Sequence, residues 1–257
     1  MTYRDIVGIP DPSKANINSL AINDPDATDL ATHAASTAAH NLGATWEEKY
    51  VARGLSRSGL TVGQAGVFFE EFTDVARWRK IGGVASLTAV TTLCGGVGQI
   101  ALVGADHVAY MPGSVAFGNP TVGTGLGRWA MAGRMRLPVA PHGEAVFYAW
   151  ATLAGGSVGM GYFDGIDLTH GSAQIYDGAS PQEYMVSTVV LGNAWHDFEL
   201  ACDSVRYYLS IDDETPIAYT PTNPPTNPIS PRLAVFRTPG GITAQYDKFL
   251  CVFPQAA

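Results

Sequence analysis

Trp195-His196-Asp197-Phe198-Glu199-Leu200-Ala201-Cys202-Asp203-Ser204-Val205-Arg206-Tyr207-Tyr208-Leu209-Ser210-Ile211-Asp212 is the stretch that decides the fold. Val205, Tyr207, Leu209 and Ile211 alternate with Arg206, Tyr208, Ser210 and Asp212. A period of two puts the first set on one face of a strand and the second on the other. Trp195–Cys202 reads as the preceding strand, and Asp212-Asp213-Glu214-Thr215-Pro216 turns the chain. Working outward, further strand candidates are Val67–Phe72, Val97–Val103, Trp129–Leu137, Ala145–Leu153, Tyr184–Leu191, Leu233–Arg237 and Gln245–Phe253. Thr220–Pro231 holds five prolines and reads as a long surface loop. Short strands with turn signals between them and no helical run predict an antiparallel β-sandwich or barrel over 61–257.

Composition agrees. In 257 residues there are 29 Gly and 16 Pro, which favours turns over long helices. Hydrophobic residues make up 46%, as in a globular chain, while charged residues are only 15%, well under the usual quarter. The net charge of −8 excludes a basic nucleic-acid footprint. That charge sits late: residues 138–257 carry twelve acids and four bases. Cys94, Cys202 and Cys251 show no paired spacing, and the last two read as buried thiols. The opening residues, Met-Thr-Tyr-Arg-Asp-Ile, lack a basic-then-apolar signal pattern, and no apolar run reaches the length of a membrane span.

Residues 1–60 have a different grammar. Pro10, Pro12 and Pro25 predict an irregular start. A short helix then follows Asp24 or Asp26 and closes at Asn41-Leu42-Gly43. A second begins at Thr45, where Thr45-x-x-Glu48 forms a capping box, and stops at Gly54. These pieces are too small to bury a core alone, so 1–60 reads as an attachment or oligomerisation segment preceding the sandwich.

Two resemblances follow from these residues. The series Phe69-Glu70-Glu71-Phe72-x5-Trp78, Trp195–Leu200, Val205–Asp212 and Tyr246-Asp247-Lys248-Phe249-Leu250-Cys251-Val252 resembles the strands of concanavalin-like lectin/glucanase jelly rolls over about 65–254. His33-Ala34-Ala35-Ser36-Thr37-Ala38-Ala39-His40-Asn41-Leu42-Gly43-Ala44-Thr45 resembles linkers of phage tail-fibre and spike proteins. Together they imply a non-enzymatic bacteriophage virion structural protein: a tail fibre, spike or capsid-attached protein, assembled in the host cytoplasm. They also imply a homotrimer that meets other virion proteins through residues 1–60 and whose jelly roll can bind a host-surface polysaccharide. The alternatives are a non-viral carbohydrate-binding lectin-type domain and a glycoside hydrolase of the same fold.

Hydrolysis by this fold needs two carboxylates about 5–5.5 Å apart for retention. The Glu-x-Asp-x-Glu strand of its laminarinase-like branch is missing here. Asp197 and Glu199 share a strand face but are expected to face solvent, and Asp212-Asp213-Glu214 sits in a turn. No Gly-x-Ser-x-Gly elbow is present, and the glycine tracts 95–98 and 123–127 lack a following Lys-Ser/Thr. Asp164-Gly165-Ile166-Asp167 and Asp212–Glu214 offer oxygens for Ca²⁺ but without a loop signature. No catalytic residue, metal site or cofactor is therefore expected. Tyr162, Phe163, Tyr176 and Tyr184 lie around a glycine-rich stretch, 154–180, that reads as a loop face, and they are the candidates for glycan contact. His33 and His40, seven apart on a helix face, are candidates for a trimer axis. Trp129, Trp150 and Trp195 are expected in the core.

Overall fold

Tyr207, Leu209 and Ile211 are fully buried, while Tyr208 is half-buried on the opposite face, so the alternation holds where it was clearest. Val205 precedes the strand and is exposed. These features come from a computed structural model, which describes residues 45–72, 75–83, 85–92, 95–102, 108–112, 127–139, 144–150, 156–163, 169–225, 230–236 and 241–254.

The first antiparallel sheet runs in the order β13 (Ile217–Tyr219), β12 (Tyr207–Ile211), β11 (His196–Asp203), β6 (Arg128–Arg136), β15 (Ile242–Pro254), β4 (Gly95–Leu102) and β3 (Leu87–Thr92). β1 (Ala65–Glu70) also pairs with β15. The second sheet runs β10 (Glu183–Val190), β9 (His170–Tyr176), β8 (Ser157–Tyr162), β7 (Glu144–Trp150), β14 (Ser230–Phe236), β5 (Val108–Pro112) and β2 (Trp78–Gly83). The fold is thus an antiparallel β-sandwich, one of the two architectures that the alternation predicts and the one that the jelly-roll resemblance implies.

One core lies between the sheets. Phe72 stacks on Trp78 with centroids 5.6 Å apart, and Trp129 meets Tyr207 edge-on at 5.9 Å. Such pairs add about 0.5–1.5 kcal/mol beyond burial. The Tyr246 hydroxyl crosses the core to donate to the Ala234 carbonyl, linking β15 to β14 at 3.3 Å. In β15 the register slips between Tyr246 and Lys248. This bulge lets Tyr246 and Phe249, an odd number of residues apart, both face the core. Gly98 is required by packing: a Cβ there would lie 2.6 Å from the Phe72 ring. Cys202 and Cys251 are buried free thiols, as their apolar runs predict, and burial pushes the Cys202 thiol up to about 12. Cys94 lies outside the described residues.

The helix α1 (Trp46–Ser58) begins with the expected capping box. The Thr45 amide donates to Glu48 Oε2 at 2.8 Å, and the Glu48 amide donates to Thr45 Oγ1 at 3.2 Å. The helix does not stop at Gly54. A boundary between compact units falls between Lys49 and Tyr50, eleven residues before the change of pattern in the sequence, and residues 50–60 group with the sandwich. Gly54 explains why: it lies so close to the first sheet that a Cβ would be 3.0 Å from Ala130 and 3.1 Å from Val252. The glycine that reads as a stop signal is a contact point.

Candidate functional site

The two sheets present opposite outer faces to their surroundings. On the first sheet, alternation turns Glu199 of β11 away from the core, yet only 2% of it is exposed. The expectation that Asp197 and Glu199 form a solvent-facing pair fails at Glu199, because residues 50–58 of α1 cover it. Arg57 approaches Glu199 Oε2 at 2.7 Å and Arg53 at 3.7 Å, while Arg53 also binds Asp213 at 2.5 Å. Asp197 lies near Arg134, at 3.8 Å, and its backbone amide donates to Asp212 Oδ1. These acids therefore anchor a helix and a turn.

The turn acids are likewise engaged. Asp212 and Asp213 have φ of +48° and +66°, a left-handed pair that Asp tolerates better than most side chains. Asp212 Oδ2 lies 2.6 Å from His196 Nδ1, and the Gly192 amide donates to His196 Nε2. These two contacts hold the His196 ring between the Asp212 carboxylate and the Gly192 amide. Burial pushes the Asp212 carboxyl up, but the bonds from His196 and the Asp197 amide outweigh it and hold it low. Glu214 accepts from Ser187 and Thr188. No group of three or more potential metal ligands occurs among the described residues. Asp164 and Asp167 lie outside them.

The outer face of the second sheet is built differently. Val158, Met160 and Tyr162 of β8 and Ala173 and Ile175 of β9 point into the core. The alternate residues, Ser157, Gly159, Gly161, Ser172 and Gln174, therefore form the outer face. They line up across strands: Tyr148 opposite Gly159, Gly159 opposite Gln174, and Gln174 opposite Tyr184. The adjacent row pairs Val146 with Gly161, Gly161 with Ser172, and Ser172 with Val186. The result is a floor of small and neutral polar groups with tyrosines in register on either side.

Three features single this floor out as a candidate. First, it is polar but buried: Ser172 is 0% and Gln174 6% exposed although neither faces the core. Second, Ser172 Oγ has no hydrogen-bond partner among the described residues, an uncommon state for a buried hydroxyl. Third, Gly161 has φ of +151°, open essentially to glycine alone, so the backbone reserves that position against any side chain. Arg232 of β14, opposite Tyr148, is half-buried, and burial lowers its guanidinium pKa. Among the described residues, no acidic side chain occupies the floor. Its hydroxyl and carboxamide groups can donate to and accept from the hydroxyls of a neutral ligand.

The glycan candidates divide. Tyr162 is fully buried in the core against Phe198, so it offers no face to a ligand. Its hydroxyl lies 3.4 Å from the Gly192 carbonyl, and burial raises its pKa. Phe163 is buried as well. Tyr176 and Tyr184 are half-buried, and the Tyr184 hydroxyl donates to Gln182 Oε1. Residues 157–162 and 170–176 are strands, where a loop face was expected. Sequence reasoning missed Ser157, Ser172 and Gln174 for that reason. Trp195 is not core either: it is half-exposed, with the Arg136 guanidinium 4.7 Å from its ring centre. His33 and His40 lie outside the described residues.

No protein-family model matches the chain, and no curated protein matches it. Solved structures do. A Bacillus licheniformis β-glucanase aligns with TM-score 0.52 and 13% identity over 74% of this chain and 99% of that one. A Bacillus subtilis protein of unknown function with a galectin-like fold aligns at TM-score 0.52 and 11% identity, covering 73% and 96%. The apo Crh5 transglycosylase aligns at TM-score 0.50 and 14% identity, covering 74% and 85%. At such identities the likeness is one of fold, and it is the concanavalin-like glucanase/lectin jelly roll. It corrects the expectation of a non-enzymatic phage fibre, spike or capsid protein. The sandwich is shared with a β-glucanase and a transglycosylase.

Proposed function

We propose that this chain acts on a β-linked polysaccharide, as a glycoside hydrolase or transglycosylase, and seats it on the floor formed by β7–β10. The observation that carries the reading is the row of Ser157, Gly159, Gly161, Ser172 and Gln174, with its unpartnered buried hydroxyl, on the outer face of a jelly-roll sheet. Small residues leave room for a sugar ring close to the backbone. Ser172 and Gln174 supply the neutral hydrogen bonds that hydroxyls require, and Tyr184 at the margin offers an aromatic surface. The protein's solved neighbours include a β-glucanase, whose name supplies the substrate class tested first.

Bond cleavage or transfer further requires two carboxylates flanking the scissile bond. Asp164 and Asp167, directly after β8, are the acids nearest this strand in sequence and the first to replace. The test is incubation of the full chain with β-1,3-1,4-glucan and with β-1,3-glucan oligosaccharides, with products separated by size. Shortened or transferred chains are expected. Gln174→Ala should cut the rate at least tenfold, and Asp164→Asn with Asp167→Asn should abolish it without preventing binding. Neither binding nor product with any β-glucan would refute the reading.

A further inference from the structure

The first sheet carries a second polar strip, on its outer face beyond the helix-covered patch. Arg136 of β6, Gln245 of β15, Gln99 of β4 and Thr88 of β3 lie side by side in register. Their hydrogen bonds run in one direction. Arg136 Nε donates to Gln245 Oε1 at 2.8 Å, and Gln245 Nε2 donates to Gln99 Oε1 at 2.8 Å. Trp195 covers the guanidinium at 4.7 Å and holds it flat. The strip crosses three strand spacings, about 14 Å.

This direction has a chemical consequence. Each carboxamide oxygen already accepts a bond inside the ladder, and the polar groups left without a described partner are donors. The Gln99 amide nitrogen and the terminal nitrogens of Arg136 meet no described acceptor, and Arg136 has no carboxylate partner among the described residues. Arg134, in the next row, is different: it lies 3.8 Å from Asp197 and 3.7 Å from Asp247, and Lys248 beside it approaches Glu71 at 3.8 Å. Arg136 is thus a pre-oriented cation at the end of a donor row, in a chain whose net charge of −8 disfavours indiscriminate anion binding.

We propose that this strip binds a carboxylate-bearing polysaccharide, a uronan, with the sugar carboxylate on the two terminal nitrogens of Arg136 and sugar hydroxyls on the carboxamide donors. The planar fork of Arg suits a carboxylate in two parallel bonds, which a Lys cannot reproduce. The site is separate from the floor of the second sheet and independent of the function proposed for it.

Affinity electrophoresis of the full chain in gels containing polygalacturonate provides the test, with dextran sulfate and neutral β-glucan as comparison polymers. Wild type should be retarded by polygalacturonate. Arg136→Ala should weaken that binding at least tenfold, Arg136→Lys should recover little of it, and the milder Gln99→Leu should weaken it several-fold. Gln174→Ala, on the other sheet, should leave it unchanged, and Arg136→Ala should leave retardation by neutral β-glucan unchanged. The proposal fails if wild type is not retarded, if Arg136→Ala and Gln99→Leu bind as wild type, if Gln174→Ala abolishes the binding, or if dextran sulfate retards as strongly as polygalacturonate.

Discussion

The outer faces of the two sheets solve one problem in two ways. Both cover a strand pair whose inner side is the same aromatic core. On the first sheet the cover is a helix, drawn close by Gly54 and fixed by two guanidiniums on the buried Glu199 carboxylate. On the second the outer positions are glycines, serines and a glutamine, with an unpartnered hydroxyl at the centre. A face committed to holding its own helix uses matched charges. The face proposed to take a ligand carries neutral groups that a hydroxyl-rich molecule can satisfy. Substitutions in the helix-covered patch of the first face should therefore register as stability, and those on the second face as binding.

The largest expected effect breaks the first face. Glu199→Ala leaves Arg57 beside an uncompensated gap and should destabilise the fold by about 3–5 kcal/mol. Chemical denaturation checks this, with the helix loosened first in limited proteolysis at 50–58. Next, Gly98→Ala drives a methyl into the Phe72 ring and should cost about 1–3 kcal/mol. That loss reports on the shared core, so it should leave glycan binding unchanged.

Acid should have a graded effect. Burial works against ionised Glu183, but bonds from the Tyr219 hydroxyl and the amides of Thr222 and Asn223 outweigh it and hold its carboxyl below the ordinary range. Burial of Asp203 is likewise outweighed by bonds from Tyr208, Arg206 and Val205. A carboxyl lowered by folding stabilises above its unfolded value, and that stability is lost as pH falls through the folded one. Melting temperature should therefore hold near pH 6 and drop below about pH 4. Glu183→Gln should flatten that drop. Asp247 has the opposite sign, since burial raises its carboxyl. Asp247→Asn should stabilise slightly at neutral pH, by under about 1 kcal/mol. Gln174→Ala on the second face should likewise change stability by no more than about 1 kcal/mol, despite a marked loss of glycan binding.

How far the sequence discloses this depends on the strand. β12 has one face in the core and one in a polar environment, so its residues alternate and its burial is legible. β8 and β9 are buried on both sides, and their outer positions are glycine, serine and glutamine. Alternation between apolar and small residues does not look like a strand; it looks like a loop, and 154–180 reads as one. The same feature that makes the floor hides it. α1 misleads through Gly54, where close approach to Ala130 imitates a stop signal. Glu199 misleads because nothing local announces that a helix about 140 residues earlier in the chain covers it. Trp78, outside any clear alternation, proves central to the core, while Trp195, at the head of the clearest strand, is half-exposed.

The contrast between the faces can be tested most directly by titrating the isotopically labelled full chain with a β-1,3-1,4-glucan oligosaccharide and following amide signals. The account predicts saturable shifts at Gly159, Gly161 and Ser172 and at the Gln174 side chain, with the signals of Tyr50–Ser58 unmoved. Shifts confined to the first sheet and its helix, or no shifts with any β-glucan, would contradict it.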